Sequence, residues 1–324
     1  MENMAGLVKV NGRNILVTGG TGFVGSHLVE ALVGGGARVI VPYRSTDPRS
    51  YFITQRLDKK VTLVTGDATD ARRITDIVTK YEINDIFHLA ASAIVETAYY
   101  NPIETIQTNV MGAANVLNAA WMSGTVERII MSSSDKAYGK TSGEYTEDSP
   151  LNPDHPYEAS KAAADMVTRA YAKTYGAPAV TVRFGNIYGP GDLNMSRIIP
   201  GIMRAMATGE PLHLRSDGTF IRDYVYVDDV VSAYLFLLSH AKEILGEVFN
   251  VASDTSSTVV HLITQAERVF NIKIPYVIDN TQKNEIPSQH LRWDKIKTLG
   301  WKPVFTLENG LKLTYEWYRK NSVR

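Results

Sequence analysis

The sequence lacks cysteine entirely, so it can form no disulfide, no thiolate metal site and no cysteine nucleophile. It also lacks any run of about 18 apolar residues and therefore predicts no membrane-spanning helix. Neither sign of charge is in excess, with 34 Lys and Arg against 34 Asp and Glu. This balance argues against nucleic acid or an anionic membrane as the main partner. The first residues carry no positive flank and no long apolar core, so we expect a cytoplasmic protein without a secretory signal.

What the chain does have is an alternation of short apolar runs with helical patterns over 324 residues. The strand-like runs are residues 14–18, 37–41, 61–67, 86–91, 128–130 and 180–182. This alternation predicts an α/β fold with a Rossmann-type, doubly wound parallel sheet, whose ligands lie at the carboxyl ends of the strands. Dense Gly and Pro at residues 183–192 indicate the change to a smaller C-terminal α/β unit. Later in the chain, Asp228 or Asp229 is expected to cap a helix that runs to Ser239.

A glycine-rich turn follows the first strand and opens a helix. In Gly19-Gly20-Thr21-Gly22-Phe23-Val24-Gly25, the spacing Gly20-x-Gly22-x-x-Gly25 fits the dinucleotide fingerprint, and Gly19 adds a second spacing. Glycines let the backbone approach a pyrophosphate, and the helix N-terminus is aimed at it. The alternative is a merely flexible turn. The predicted cofactor contacts are Gly19, Gly22, Phe23, Val24 and Gly25.

The second strand ends without the acidic residue that usually holds the ribose of NAD about 20 residues beyond the glycines. Its end carries Arg44 and Ser45 instead, which suit a 2′-phosphate and favour NADP. The alternative is that Arg44 is a solvated loop residue. Asp67, which ends the third strand and precedes Ala68, could contact an adenine amine or cap the next helix.

Two further stretches are candidates for cofactor binding. The fourth strand ends in His88-Leu89-Ala90-Ala91, where small residues allow a ligand close to the backbone. His88 could equally be a packed core residue. A helix predicted over residues 102–122 carries Asn109 in its middle, where Asn is a poor helix former and is expected to make a specific hydrogen bond.

The candidate catalytic residues lie between Met131 and Lys161. Ser134 and Asp135 stand at the end of a strand, whereas Tyr157 and Lys161 are one helical turn apart and share a face. A cation beside a phenol favours the phenolate, so we expect Lys161 to lower the pKa of Tyr157. Such a set suits removal of a proton from a sugar hydroxyl. A Tyr-x-x-x-Lys pattern alone recurs by chance, so its weight depends on the motifs that precede it.

Taken together, these motifs resemble the extended short-chain dehydrogenase/reductase family. The resemblance covers about residues 14–318 in the family's order. It also includes Arg183-x-Gly185-Asn186-x-Tyr188-Gly189-Pro190-Gly191, Arg222-Asp223-Tyr224 and Leu299-Gly300-Trp301. It implies a dinucleotide-binding domain of residues 1–186 and 225–252. A sugar-nucleotide-binding domain would comprise residues 187–224 and 253–324.

Within the family, the triplet at the end of the fifth strand distinguishes the reactions. Ser134-Asp135-Lys136 resembles the Ser-Asp-Lys of CDP-glucose 4,6-dehydratases, whereas 4-epimerases usually carry Ser-Ser-Ser-Ala-Thr there. The resemblance implies that Tyr157 takes the proton of the sugar 4-hydroxyl, with Ser134 on the same oxygen and Lys161 on the cofactor ribose. Lys136 would remove the C5 proton and Asp135 would protonate the departing 6-hydroxyl. The alternative for Asp135 and Lys136 is an ion pair on a loop.

The same resemblance implies that Asn186, Arg197 and Arg222 hold the diphosphate of a nucleotide sugar, although Arg197 could be a plain surface charge. It also implies a homodimer built from two helices per subunit, with residues 102–122 and 156–175 as candidates. The expected activity is that of a nucleotide-sugar 4,6-dehydratase using NAD or NADP, without a metal. A nucleotide-sugar 4-epimerase and a non-catalytic dinucleotide-binding sensor remain alternatives, and the nucleotide base and the sugar stay open.

Overall fold

A computed structural model of the chain describes residues 10–140, 143–281 and 286–321. The strands are β1 Asn14–Thr18, β2 Arg38–Tyr43, β3 Thr62–Thr65, β4 Asp85–His88, β5 Arg128–Ser134, β6 Ala179–Phe184, β7 Asn186–Tyr188, β8 Leu212–Leu214, β9 Ile221–Tyr226, β10 Val248–Val251, β11 Ser256–Thr258 and β12 Tyr276–Ile278. Seven of them form one sheet in the order β10-β6-β5-β4-β1-β2-β3. Every pairing in this sheet is parallel, which confirms the predicted Rossmann-type fold.

Helices cover both faces of the large sheet. The helices of the described chain are α1 Phe23–Gly34, α2 Tyr51–Thr54, α3 Ala71–Lys80, α4 Val95–Tyr100, α5 Pro102–Ile106, α6 Gly112–Ser123, α7 Pro156–Tyr175, α8 Ile198–Thr208, α9 Val227–His240, α10 Val259–Phe270, α11 Asp294–Leu299 and α12 Leu307–Lys320. Short 3-10 turns span Leu57–Lys59 and Asp135–Tyr138, and a π-helical turn spans Gln107–Met111. Helices α1 and α9 pack on one face of the sheet, and α3, α6 and α7 pack on the other.

The central strands are apolar throughout because each face meets a helical layer. Ile15 and Val17 of β1 join one core cluster, whereas Leu16 between them joins the other. Alternate side chains of a strand point to opposite faces, so a strand buried on both sides must be a continuous apolar run. The short apolar runs of the sequence therefore located these strands correctly.

Local signals fix the helix that carries Tyr157 and Lys161. Pro156 occupies the first turn of α7, and the His155 side chain caps the helix by accepting from the Tyr157 amide at 3.2 Å. The helix ends at Gly176, which adopts a φ of 66°. Both residues are therefore held in a helix with defined ends, directly against the carboxyl end of β5.

The smaller lobe is built from the remaining strands. β7, β9 and β11 form a three-stranded sheet and β8 pairs with β12, around a separate apolar cluster that includes α8, α10 and α12. The division into two domains at the boundaries given above stays a prediction. Its residues 1–9, 141–142, 282–285 and 322–324 lie outside the described part of the chain.

The expectation that Asp228 or Asp229 caps α9 is wrong. Tyr226 occupies the cap position, and both acids lie in the first turn of the helix. The Asp229 carboxylate accepts from the backbone amides of Val304 and Phe305 at 2.8 and 3.1 Å. It therefore ties the C-terminal segment to the helix, a long-range contact that local sequence does not reveal.

Candidate active site

The glycine turn after β1 forms a tight cradle at the N-terminus of α1. Gly19 has a φ of 72°, and a Cβ there would lie 2.7 Å from the amide nitrogen of Ala90. A Cβ at Gly25 would collide with the Gly19 carbonyl oxygen. Among the described residues no side chain caps the first amides of α1, and no acidic residue stands in its first turn. Open amides at a helix N-terminus suit a pyrophosphate, so these residues fit the predicted dinucleotide.

The end of β2 faces the end of β3 through one ion pair. An Arg44 guanidinium nitrogen lies 3.3 Å from Asp67 Oδ2, and the Arg44 side chain is 63% exposed. Asp67 Oδ1 accepts from the amide and the hydroxyl of Thr69. The alternative role of Asp67 as a helix cap is wrong, because Asp70 caps α3 by accepting from the Arg73 amide. Ser45 follows Arg44 on the exposed loop, and Ala68 is buried behind Asp67.

Asn109 braces the loop that follows β4. Its Oδ1 accepts from the Ser92 amide at 2.7 Å, and its Nδ2 donates to Ser160 Oγ at 2.8 Å. The π-helical turn that carries Asn109 interrupts the helix predicted over residues 102–122. The specific hydrogen bond expected of Asn109 is therefore present. It joins the loop after Leu89, Ala90 and Ala91 to the helix of Tyr157.

His88 is a packed core residue. Its Nδ1 lies 2.8 Å from Thr18 Oγ1 between β1 and β4. Burial, together with the charge of Lys161, lowers the pKa of His88 to about 3. The imidazole is therefore neutral at physiological pH, and one hydrogen bond joins it to the Thr18 hydroxyl.

Ser134, Asp135 and Lys136 form a connected cluster where β5 ends. Ser134 Oγ donates to Asp135 Oδ1 at 2.9 Å, and Lys136 Nζ lies 3.4 Å from the same oxygen. Asp135 is buried, and its Oδ2 has no hydrogen-bond partner among the described residues. The Lys136 ammonium also donates to Asn186 Oδ1 at 3.4 Å. The pair therefore faces inward, and one carboxylate oxygen is left for a ligand.

Tyr157 lies beside this cluster, but its electrostatics differ from the expectation. Burial raises the pKa of Tyr157 to about 12, and the charge of Asp135 adds to this effect. The positive charge of Arg197 and a hydrogen bond with Ser134 act in the opposite direction. The lowering of the Tyr157 pKa that the sequence predicts is therefore not observed, because burial outweighs the favourable charges. The Lys161 ammonium donates to the Ser132 carbonyl at 3.1 Å. Burial also lowers the pKa of Lys161 to about 8, although the charge of Asp165 raises it.

The three residues predicted to hold the substrate diphosphate lie on the side of the smaller lobe. Arg197 precedes α8 and pairs with Asp192 at 3.0 Å. Arg222 on β9 donates to the Ile221 carbonyl at 2.8 Å. The side chain of Asn186 donates to the Asp223 carbonyl at 3.4 Å besides accepting from Lys136. Asn186 therefore contacts the catalytic cluster through its hydrogen bond with Lys136. Arg197 acts on the cluster through its positive charge, which lowers the pKa of Tyr157.

Three supporting residues were missed at the sequence level. His155 caps α7, Asp192 holds Arg197, and the buried Asp165 accepts from Arg183 at 2.6 Å. A histidine before Pro-Tyr was the only local signal for the cap. The other two contacts depend on how distant segments pack.

The described residues contain no helix that is long and apolar enough to cross a membrane. In the same part of the chain, no three His, Cys, Asp or Glu side chains are grouped so as to hold a metal ion.

Comparisons with known proteins are consistent with this geometry. The sequence model of the NAD dependent epimerase/dehydratase family matches residues 15–252. A trifunctional UDP-glucose 4,6-dehydratase/3,5-epimerase/reductase of Arabidopsis thaliana is 30% identical over 95% of this chain. This chain spans about half (48%) of the length of that relative.

Two solved structures are similar over nearly the whole chain. A dTDP-glucose 4,6-dehydratase of Bacillus anthracis in complex with NAD superposes with a TM-score of 0.84 at 29% identity, covering 96% of this chain and 97% of the other. A UDP-glucose 4-epimerase of Thermotoga maritima with UDP-glucose gives a TM-score of 0.87 at 33% identity, covering 95% and 99%. The similarity therefore includes both reaction types.

Proposed function

Since this chain belongs to the NAD dependent epimerase/dehydratase family, we propose that it is a nucleotide-sugar 4,6-dehydratase that forms a 4-keto-6-deoxy sugar. The observation that carries the proposal is the Asp135–Lys136 pair at the end of β5. The pair lies 3.4 Å apart, points inward, and leaves Asp135 Oδ2 without a partner among the described residues. An epimerase needs only oxidation and reduction at C4, so it has no use for a second acid and base.

The cofactor is proposed to be a nicotinamide dinucleotide held by the Gly19–Gly25 turn, with its pyrophosphate at the N-terminus of α1. When bound, the nicotinamide supplies the redox chemistry by taking a hydride from C4 of the sugar and returning it to C6. Lys161 would hold the cofactor ribose, and Leu89, Ala90, Ala91 and Asn109 would line the site. The protein contributes placement and proton transfer.

The first proton transfer is assigned to Tyr157. Its phenol oxygen accepts the proton of the sugar 4-hydroxyl as C4 is oxidised, and Ser134 hydrogen-bonds the same oxygen. Because burial raises the pKa of Tyr157 to about 12, the free protein holds a neutral phenol at pH 7. Ionisation must therefore accompany binding of the cationic nicotinamide and the substrate, with Arg197 and Lys161 supplying further positive charge.

Elimination of water is assigned to the neighbouring pair. Transfer of one proton from Lys136 to Asp135 gives an amine and a carboxylic acid, and the 3.4 Å separation permits this exchange. The amine removes the proton from C5, which the 4-ketone acidifies. The acid protonates the 6-hydroxyl, which leaves as water. As hydride is delivered to C6, the Lys136 ammonium would return its proton to C5. The proton taken up by Tyr157 would then replace the one lost from Asp135, so the sugar has lost one water with no net redox change.

The substrate is proposed to be a nucleoside diphosphate sugar. Arg197 and Arg222 offer planar donors that suit a diphosphate, and Asn186 accepts a hydrogen bond from Lys136 of the catalytic cluster. The relatives described above act, by their names, on UDP- or dTDP-glucose, whereas the Ser-Asp-Lys triplet resembles enzymes for CDP-glucose. The base therefore stays open within this proposal.

A preference for NADP is a separate part of the proposal. It rests on Arg44, whose guanidinium remains largely exposed despite its 3.3 Å contact with Asp67 and can turn to a 2′-phosphate. Against it stands the solved relative that contains NAD. Arg44 already has an anionic partner, so NAD use is the competing outcome.

A homodimer and a cytoplasmic location complete the proposal. The surface formed by α4 to α7 exposes a set of large apolar side chains: Tyr99, Tyr100, Ile103, Met111 and Met166. Exposed apolar patches of this kind mark interaction sites. The two helices predicted for dimerisation, residues 102–122 and 156–175, contribute most of this surface.

A panel of CDP-, UDP-, GDP- and dTDP-sugars tests the activity. We expect one member to lose 18 mass units and gain a ketone at C4, with catalytic cofactor. Inversion at C4 with unchanged mass would establish the epimerase instead. Turnover of no member with NAD or NADP would favour the dinucleotide-binding sensor, against which Ser134, Tyr157 and Lys161 argue.

A further inference from the structure

Asp165 lies one helical turn after Lys161 on α7. Residues four apart on a helix are neighbours on one face, and both side chains are buried. Both also line a small internal cavity beneath the end of β5, together with Ser133 and Thr168. The carboxylate and the ammonium thus belong to one face of α7 and border the same cavity.

Arg183 of β6 fixes the position of this carboxylate. Its Nε donates to Asp165 Oδ2 at 2.6 Å, and both side chains are almost fully buried. The guanidinium lies over the Tyr138 ring at 4.5 Å and reaches the Glu147 carbonyl at 3.5 Å. Arg183 therefore orients Asp165, whose negative charge also raises the pKa of Lys161.

Few other charges act on Lys161. His88 on β4 is neutral, and β5 contributes the Ser132 carbonyl that accepts from the ammonium. Within the described part of the chain, the other titratable groups around it are Tyr157 on the same helix, Asp135 beyond Tyr157, and Tyr234 of α9, whose hydroxyl donates to Ser132 Oγ. Burial lowers the pKa of Lys161 to about 8, and Asp165 is the group that opposes this effect.

We propose that Asp165 is a positioning residue that keeps Lys161 cationic for its work beside Tyr157, and that Arg183 limits the strength of this effect. The assignment rests on the proposed function, because it gives Lys161 its duty toward the phenol and the ribose. It assigns a role to a buried ion pair that would otherwise be a core contact. Removing the carboxylate releases the ammonium proton at lower pH, whereas removing the guanidinium has the opposite effect.

The test is titration of Lys161 in protein carrying ¹³C-labelled lysine, with the signal assigned by its loss in Lys161→Arg. In Asp165→Asn, which can still accept from Arg183, we expect the midpoint to move down by about one pH unit. In Arg183→Gln we expect it to move up. This readout needs no turnover, so it stands even if the protein is not a dehydratase.

Asp85→Asn is the matched control. Asp85 is equally buried and accepts from Arg13 and Arg128 at 2.5 and 2.6 Å, but it lies at the opposite end of β4. The Asp85→Asn variant should be less stable than the parent, because a buried ion pair is broken, but its Lys161 midpoint should be unchanged. An unchanged midpoint in both Asp165→Asn and Arg183→Gln would reduce the pair to a structural contact. If only one of Asp165→Asn and Arg183→Gln folds, the Lys161 midpoint of that variant tests the proposal, because each variant has its own expected direction of shift.

A second readout connects the pair to turnover on whichever nucleotide sugar is active. The alkaline limb of kcat/KM, which reports loss of the Lys161 proton, should move to lower pH in Asp165→Asn and not in Asp85→Asn. A uniform loss of kcat/KM at every pH, with no shift of the limb, would overturn the proposal.

Discussion

The Lys136 ammonium donates to the side-chain oxygen of Asn186 at 3.4 Å, across fifty residues of sequence. This contact joins the end of β5 to the first strand of the smaller lobe. One residue of the proposed acid–base pair is thus oriented by a residue proposed to face the substrate. Substrate binding at Asn186 would therefore act directly on the position of the Lys136 amine.

Replacing Lys136 by Ala should separate oxidation from elimination. The base that takes the C5 proton is lost, so formation of the 4-keto-6-deoxy product should slow by about 10²–10⁴. Tyr157 and Lys161 remain, so substrate should still be oxidised, and reduced nicotinamide should accumulate in a single turnover. Lys173→Ala, at an exposed position near the end of α7, is the control and should behave as the parent. Full activity of Lys136→Ala would contradict the assigned role.

Cofactor preference should depend on Arg44 if the 2′-phosphate is bound there. Arg44→Ala should weaken NADP binding about tenfold or more, because a charge-assisted contact is lost, and leave NAD binding nearly unchanged. The measurement is the pair of dissociation constants by calorimetry. Arg49→Ala, on the same loop and paired with Asp47, is the control. An equal effect on both dinucleotides would assign Arg44 to its ion pair with Asp67.

The exposed surface of α4 to α7 should control the oligomeric state. Ile103 is 67% exposed, and a charge there should oppose burial of this surface between subunits. We expect Ile103→Glu to convert a dimer to a monomer in sedimentation analysis. Val304→Glu is the control, because Val304 is 80% exposed but lies outside the surface of α4 to α7. This variant should remain a dimer. A parent protein that is already monomeric at high concentration would refute the dimer.

His88 should make the fold sensitive to acid. Its pKa is about 3 in the folded protein and 6.5 in the unfolded chain, so the neutral form is favoured by folding. The corresponding stability is complete above pH 6.5 and is lost as the pH falls towards 3. At pH 5 the loss should be about 2 kcal/mol.

Denaturant unfolding at several pH values checks this effect. In His88→Asn, whose side-chain amide can hydrogen-bond Thr18, the pH-dependent change in the free energy of unfolding between pH 4 and 6.5 should be smaller than in the parent by about 3 kcal/mol. His261→Asn, at an exposed position, should keep the parent slope. Identical slopes in parent and His88→Asn would show that His88 is not the sensitive group.

The parallel sheet was predictable because its physical signals are local. Strands buried on both faces are continuous apolar runs, and the Gly19 turn needs both a positive φ and a close approach to Ala90. The stretch from Ser134 to Lys136 could be located for the same reason, since it directly follows such a run. These features need no knowledge of distant contacts.

The pKa values of the site could not be predicted from the local sequence. The sequence shows that Lys161 follows Tyr157 by one turn, but not that the ammonium donates to Ser132 or that burial raises the pKa of Tyr157. Helix N-caps could not be predicted from the local sequence either. Asp67 and Asp229 both resemble helix caps locally, yet one pairs with Arg44 and the other holds a segment 75 residues away.

Elimination of water by Asp135 and Lys136 after oxidation at C4 is the step that sets the proposed reaction apart from epimerisation. The direct measurement is turnover in deuterium oxide, with the product examined by NMR and mass spectrometry. We expect a product that has lost water and carries one solvent deuterium at C5. A product inverted at C4, with its mass unchanged and hydrogen retained at C5, would contradict it.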